Sequence, residues 1–186
     1  LVTMTSYPGR INQLRGTLVL QARYDGALRI YGLLTGLVAN SVGGWHIHSG
    51  HECSANSAVT GGHYYDATMG ASDPWTPIKY TANANGVAVI SEVIAGFSLD
   101  DMMPVMGRAV VVHDADGNGP APRIGCGLVM PTKAQVAMIG AYPAYGNYAG
   151  DSAFLGLLTV HDTATGVRVA GTLAGLTPGV ASGWHI

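Results

Sequence analysis

Charged side chains are scarce in this sequence. Asp, Glu, Lys and Arg make up 11% of its 186 residues, where about a quarter is usual. With 48% apolar residues beside so little charge, the chain is not disordered, because disorder needs the opposite balance. Nor is there a basic excess. Nine Lys and Arg stand against eleven Asp and Glu, a net charge of −2, which gives no basic stripe for a nucleic acid. No uninterrupted apolar run comes near the roughly 20 residues needed to span a bilayer. The chain begins at Leu1 with no signal-peptide pattern, so it reads as a processed or partial chain. Cysteine is limited to Cys53 and Cys126, with no CxxC, which argues against a structural zinc site or thioredoxin-type chemistry. Two thiols so far apart either stay free and buried or close one long loop, and spacing alone leaves both open. A capped, sustained 3.6-residue period is also missing; Leu99–Met106 could hold one helical turn at most.

What the chain has in quantity is glycine, 27 residues, about twice the usual share. Turn signals are dense: Pro8-Gly9, Asp25-Gly26, Asn85-Gly86, Asp116 to Pro120, Thr165-Gly166 and Pro178-Gly179. Between them lie short β-branched and aliphatic runs at Ala27–Tyr31, Ala88–Val93 and Ala109–Val112. Asp25-Gly26 between two apolar runs is a hairpin signal. Short strands punctuated by turns predict an all-β antiparallel sandwich or barrel.

The sequence also repeats itself. Gly32-Leu-Leu-Thr-Gly-Leu37 matches Gly171-Thr-Leu-Ala-Gly-Leu176, and Gly44-Trp-His-Ile47 matches Gly183-Trp-His-Ile186, each pair 139 positions apart. Gly16-Thr-Leu18 and Gly156-Leu-Leu158 match at 140, and Tyr7-Pro8 and Tyr142-Pro143 at 135. Residues 1–131 are therefore expected to form one complete domain, and 132–186 the N-terminal half of a second copy. Half a barrel exposes apolar faces and unpaired edges. A further repeat or an identical subunit is expected to complete it, the latter head to tail as an open filament.

Seven histidines are present. His46 and His48, two apart, project to one face of a strand, close enough to share a metal. His63 follows Gly61-Gly62, and His113 ends the apolar run Ala109–Val112. Imidazole suits copper and zinc. Taken singly, each ring is accounted for as a hydrogen-bonded or surface side chain; the pattern of four is what points to a metal. His51 reads as a surface loop residue. His161 aligns with Gln21 on a strand's solvent face. His185 aligns with His46 but supplies one ligand of four. Trp45, Trp184 and Tyr64-Tyr65 read as packing.

Together these residues resemble the copper/zinc superoxide dismutase family. The matching stretches are Leu28 to Gly32 with Gly36-Leu37, Gly44-Trp-His-Ile-His48, Gly61-Gly-His63, Asn85-Gly-Val-Ala88, Gly107-Arg-Ala-Val-Val-Val-His113 and Arg123-Ile-Gly-Cys-Gly127. They stand in the family's order and cover nearly all of residues 1–131. The resemblance implies an eight-stranded Greek-key β-barrel, superoxide as substrate, and His46, His48, His63 and His113 as copper ligands. It implies that Cys53 and Cys126 form the family's disulfide, that Arg123 guides the anion, that His63 takes part in catalysis, and that the protein is extracellular. Two features depart from the family. There is no His between His63 and His113, so a normal zinc site cannot form, and only nine residues separate His113 from Arg123, too few for the family's charged loop. Both departures resemble the copper-only branch, and the internal repeat resembles its tandem-repeat members; copper and no zinc is the expectation. Asp73, or alternatively Asp66, is expected to take over the orienting of His63 by accepting from its Nδ1; the plain alternative is that Asp73-Pro74 only starts a turn. A structural or filament-forming module built from such repeats is the rival class of function.

Overall fold

A computed structural model describes residues 1–69, 72–115, 122–140, 155–181 and 183–185. The chain divides into two compact units, Leu1–Lys133 and Ala134–Ile186. The first contains β1 (Val2–Ser6), β2 (Arg15–Ala22), β3 (Leu28–Thr35), β4 (Val42–Ile47), β5 (Lys79–Thr81), β6 (Ala88–Ile94), β7 (Ala109–Ala115) and β8 (Arg123–Leu128). Their hydrogen-bonded order is β5-β4-β7-β8-β1-β2-β3-β6, every pairing antiparallel. The two end strands, β5 and β6, come into contact, so the sheet curls into a nearly closed barrel. The β3–β4 and β6–β7 connections cross between distant strands, which is the Greek-key arrangement that the resemblance implies.

Alternation along the strands fills this barrel. Leu18 and Leu20 from β2, Leu28, Ile30 and Leu34 from β3, Trp45 and Ile47 from β4, and Val110 and Val112 from β7 share one buried cluster. A second, smaller cluster on the other side of β7 and β8 joins Val111, Ala109, Cys126 and Tyr7, with Cys53 packed against it. The Asp25-Gly26 signal is a turn between β2 and β3, where Arg23 and Asp25 form an ion pair at 2.9 Å. Leu99–Met106 holds bends and turns and no helix. The one α-helical turn among the described residues, α1 (Ser57–Thr60), was not expected; Asn56 caps it by accepting from Ala58 N. No helix among the described residues is long and apolar enough to cross a membrane. The turn signal at 116–120 and the Tyr142-Pro143 match lie outside the described residues.

The second unit is a three-stranded antiparallel sheet of β9 (Gln135–Ile139), β10 (Leu155–Thr163) and β11 (Gly166–Ala174), with β10 in the middle. Its register follows that of β1, β2 and β3. Met4 faces Gly16, which faces Leu34; Ile139 faces Gly156, which faces Leu173. The offsets are 135, 140 and 139, the same three that relate the sequence matches. The close approaches coincide too. A Cβ on Gly32 would run into the Thr17 carbonyl, and one on Gly171 into the Leu157 carbonyl. His161 is half-buried opposite Arg168, as Gln21 stands opposite Arg29. Trp184 corrects the expectation of barrel packing. It is 59% exposed, whereas its counterpart Trp45 is fully buried. Trp45 sits on β4 between β5 and β7, and no strand among the described residues flanks Trp184.

Candidate metal centre

The centre lies on the outer side of β4 and β7. Along β4, Trp45 and Ile47 point into the barrel, so His46 between them points out, and His48 follows on the same side. On β7, Val110 and Val112 point in, and the ladder shifts between Val112 and His113, setting His113 opposite Arg123. Plain alternation already points His113 outward, and the extra residue of the shift is Ile124 on β8. His63 is brought up by the loop that follows α1 and forms an isolated bridge with His48. The structure thus gathers all four histidines expected from the sequence. Each offers one ring nitrogen, and these four atoms lie within 4.8 Å of one another. His51 is exposed and stands outside the group.

Hydrogen bonds decide which nitrogen each ring presents. A carbonyl can only accept, so His48 Nδ1 donates to Gly61 O at 2.9 Å and leaves Nε2 as the lone pair. His48 Nε2 faces His113 Nε2 at 3.4 Å. His63 Nδ1 lies 2.6 Å from Asp73 Oδ2, which fixes the proton on Nδ1 and turns Nε2 inward. Asp66 does not compete for this place; its Oδ1 accepts from Thr68 N and Oγ1. His46 Nδ1 is buried with no hydrogen-bond partner, an orphan acceptor that a metal ion would satisfy. Gly44 makes room for that ring, because a Cβ there would meet His46 Cε1 at 2.6 Å and Nε2 at 2.8 Å.

Electrostatics agree with the hydrogen bonding. Burial, helped by the neighbouring His63, His113 and His48, pushes His46 down to about 2. Burial pushes His48 down to about 3, against the bond to Gly61, which favours the proton. Both rings are neutral at any ordinary pH, as a metal ligand must be. A compact set of imidazoles, with Cys53 and Cys126 withheld in a disulfide, is a donor set suited to copper or zinc. The four histidines therefore fit the copper that the resemblance implies.

Arg123 and the disulfide frame the centre. Arg123 Nη1 donates to Ser57 O at 3.0 Å and to Tyr7 Oη at 3.1 Å, and Nη2 donates to Gly61 O at 2.5 Å. The Cys53–Cys126 disulfide ties the same loop to β8, with Cα atoms 5.8 Å apart. Tyr7 Oη donates in turn to Thr60 Oγ1 at 3.1 Å. The parts of Tyr7, Gly61 and Trp75 in holding this loop were not foreseen. Trp75, two residues past Asp73, was the one such signal in the sequence: an isolated aromatic in a turn-rich loop. A family model described as copper/zinc superoxide dismutase (SODC) matches residues 14–129. That stretch is more than half of the chain and takes in all four histidines, the Asp73 that bonds to one of them, and Arg123, and the chain belongs to this family.

Proposed function

We propose that the chain is a copper-dependent superoxide dismutase that works without zinc. The observation that carries this is the set of four ring nitrogens within 4.8 Å, with the Nδ1 side of His63 already taken by a carboxylate of the chain itself. His46, His48, His63 and His113 would hold the ion. Bound copper supplies one-electron chemistry, so that two superoxide anions and two protons become one dioxygen and one hydrogen peroxide. The rest falls to the side chains. Asp73 keeps His63 in one tautomer and one orientation. With Nδ1 held by Asp73, His63 Nε2 is the ring atom positioned to move a proton. Arg123 spends three N–H bonds on Tyr7, Ser57 and Gly61, and the rest of its fork is available to orient an anion by charge-assisted hydrogen bonds. With nine residues between His113 and Arg123, long-range steering rests on Arg123 and few other charges.

The disulfide supports an extracellular setting, where such bonds persist. The shared register of β9-β10-β11 with β1-β2-β3 supports a reading of residues 132–186 as the first half of a second repeat. In the first unit β1 pairs with β8 and β3 with β6, and the corresponding edges of β9 and β11 carry no strand among the described residues. A following repeat or a second copy of the chain would supply them. That favours a module that also assembles, a role compatible with catalysis.

The deciding experiment loads the purified chain with one equivalent of copper, records its paramagnetic resonance spectrum, and measures superoxide consumption. Stoichiometric binding with activity that a copper chelator abolishes is the expected result. Full occupancy without activity, or no copper bound at all, would sink the enzyme reading.

A further inference from the structure

Asp73 has to meet His63 Nδ1 at 2.6 Å, yet it sits on a loop with little regular structure. Among the described residues between β4 and β5 there are only α1 and a single 3-10 turn at Ala67–Met69. A carboxylate on such a segment needs a rigid reference. Trp75 provides one. It is fully buried in the barrel's main cluster, with its ring 4.9 Å from that of Phe97.

Both N–H groups of Trp75 are used on the two sides of the His63–Asp73 contact. Its main-chain N donates to Asp73 Oδ1 at 2.9 Å. Its indole Nε1 donates to Tyr64 O at 2.6 Å, on the residue next to His63. Three hydrogen bonds thus close a ring through His63, Asp73, Trp75 and Tyr64. Asp73 presents one oxygen to His63 and the other to Trp75. Tyr64 is gripped from elsewhere as well. The Arg108 guanidinium lies 3.4 Å from its ring centroid, and Arg108 Nη1 donates to Ser49 O, one residue past His48.

We propose that Trp75 is a positioning residue, locking Asp73 onto His63 Nδ1 so that His63 keeps one tautomer and one orientation with no second metal ion on that nitrogen. The ring of three hydrogen bonds anchored in the barrel core is what carries this. The proposal rests on the reading of His63 as a ligand and deepens it. A tryptophan serving only to fill the core would need its apolar surface and not its indole N–H, and phenylalanine would serve nearly as well.

The test uses the metal-free full chain and nuclear magnetic resonance. In the wild type the His63 Nδ1 proton should be visible and slow to exchange. In Trp75→Phe, which keeps an aromatic ring in the core and leaves the Tyr64 carbonyl without its donor, that proton should exchange roughly ten- to hundredfold faster. The amides of Leu18 and Val111 in the barrel strands should keep their protection. An unchanged His63 exchange rate in folded Trp75→Phe would overturn the proposal. So would loosening of the barrel amides in step with His63, because Trp75 would then be a core filler. Should the variant not fold, the wild type decides: with rising denaturant, the indole Nε1 proton of Trp75 and the His63 Nδ1 proton should open together, and separate openings would overturn the coupling. No metal enters these measurements, so their failure leaves the dismutase reading standing, and an inactive copper-loaded chain leaves the clamp standing.

Discussion

Removing the disulfide gives the sharpest quantitative expectation. Cys53 and Cys126 are 73 residues apart, and on the chain-entropy account closing a loop of that length removes about 15 cal/mol/K from the unfolded chain, or about 4.4 kcal/mol at 25 °C. The paired variant Cys53→Ala with Cys126→Ala takes this away while placing no hydroxyl in the apolar cluster around Cys126, Val111 and Ala109. The first unit, Leu1–Lys133, should have an unfolding entropy of about 0.28 kcal/mol/K, so its melting temperature should fall by about 16 °C. Differential scanning calorimetry of the metal-free chain reads this directly. The site itself should suffer less. The loop that carries Cys53 is also tied to β8 by Arg123, through Ser57 O and Gly61 O. Copper affinity in the variant should therefore fall by less than about tenfold, the low end for loss of a supporting contact around a metal. A melting shift below about 5 °C would refute the reasoning, because the loop would then be closed in the unfolded chain by something else or add nothing to it. A far larger fall, with copper binding lost, would refute the claim that Arg123 and Tyr7 hold the loop once the disulfide is gone.

Asp73→Asn should weaken copper binding roughly ten- to hundredfold, measured by competition with a chelator, with little change in melting temperature; an affinity within threefold of the wild type would remove Asp73 from its role. His46 and His48 are held at about 2 and about 3 by burial, below the unfolded value near 6.5, so the folded metal-free chain binds fewer protons than the unfolded one. Their contribution is complete above pH 6.5 and is lost as pH falls toward 3, at about 1.4 kcal/mol per pH unit for each ring. Unfolding midpoints measured from pH 7 to 4 should drop accordingly, and a flat profile would contradict the burial of two neutral rings. Arg123→Lys keeps the charge and loses the fork to Gly61 and Ser57. Its kcat/KM for superoxide should fall tenfold or more at unchanged copper occupancy, and an unaltered rate would show that the arginine geometry does not matter.

Much of the barrel and of the centre was legible because local pattern and tertiary placement agree there. Alternation on β4 puts His46 and His48 on one side whatever the rest of the chain does. A glycine such as Gly32, whose Cβ would strike the Thr17 carbonyl, leaves its mark as a sequence signal at two positions 139 residues apart. Trp184 was misread because burial is not a local property. The motif Gly-Trp-His is the same in both places, but what covers Trp45 comes from strands far along the chain. α1 escaped notice because a single turn has no period; only the Asn56 cap betrays it. The choice between Asp73 and Asp66 lay beyond the sequence for a similar reason. Both follow His63 closely, and what separates them is that Asp66 turns back on Thr68 while Trp75 draws Asp73 toward the core.

One atom joins the two halves of the proposed mechanism. The Gly61 carbonyl accepts from His48 Nδ1 and from Arg123 Nη2, so the orientation of a ligand ring and that of the anion-guiding guanidinium share a single reference. The backbone at Gly61 has φ +76, and a Cβ there would run into Ser49 Oγ. Glycine alone places the carbonyl so without strain. The same loop is fixed at Thr60 by Tyr7 and at Cys53 by the disulfide. The barrel therefore sets where His46 and His113 stand, while two separate loop anchors set the others: Gly61 with Arg123 for His48, and Asp73 with Trp75 for His63. Because the two anchors share no residue, damage to one should leave the other ring in place. A centre built this way holds His63 by hydrogen bonds within the chain.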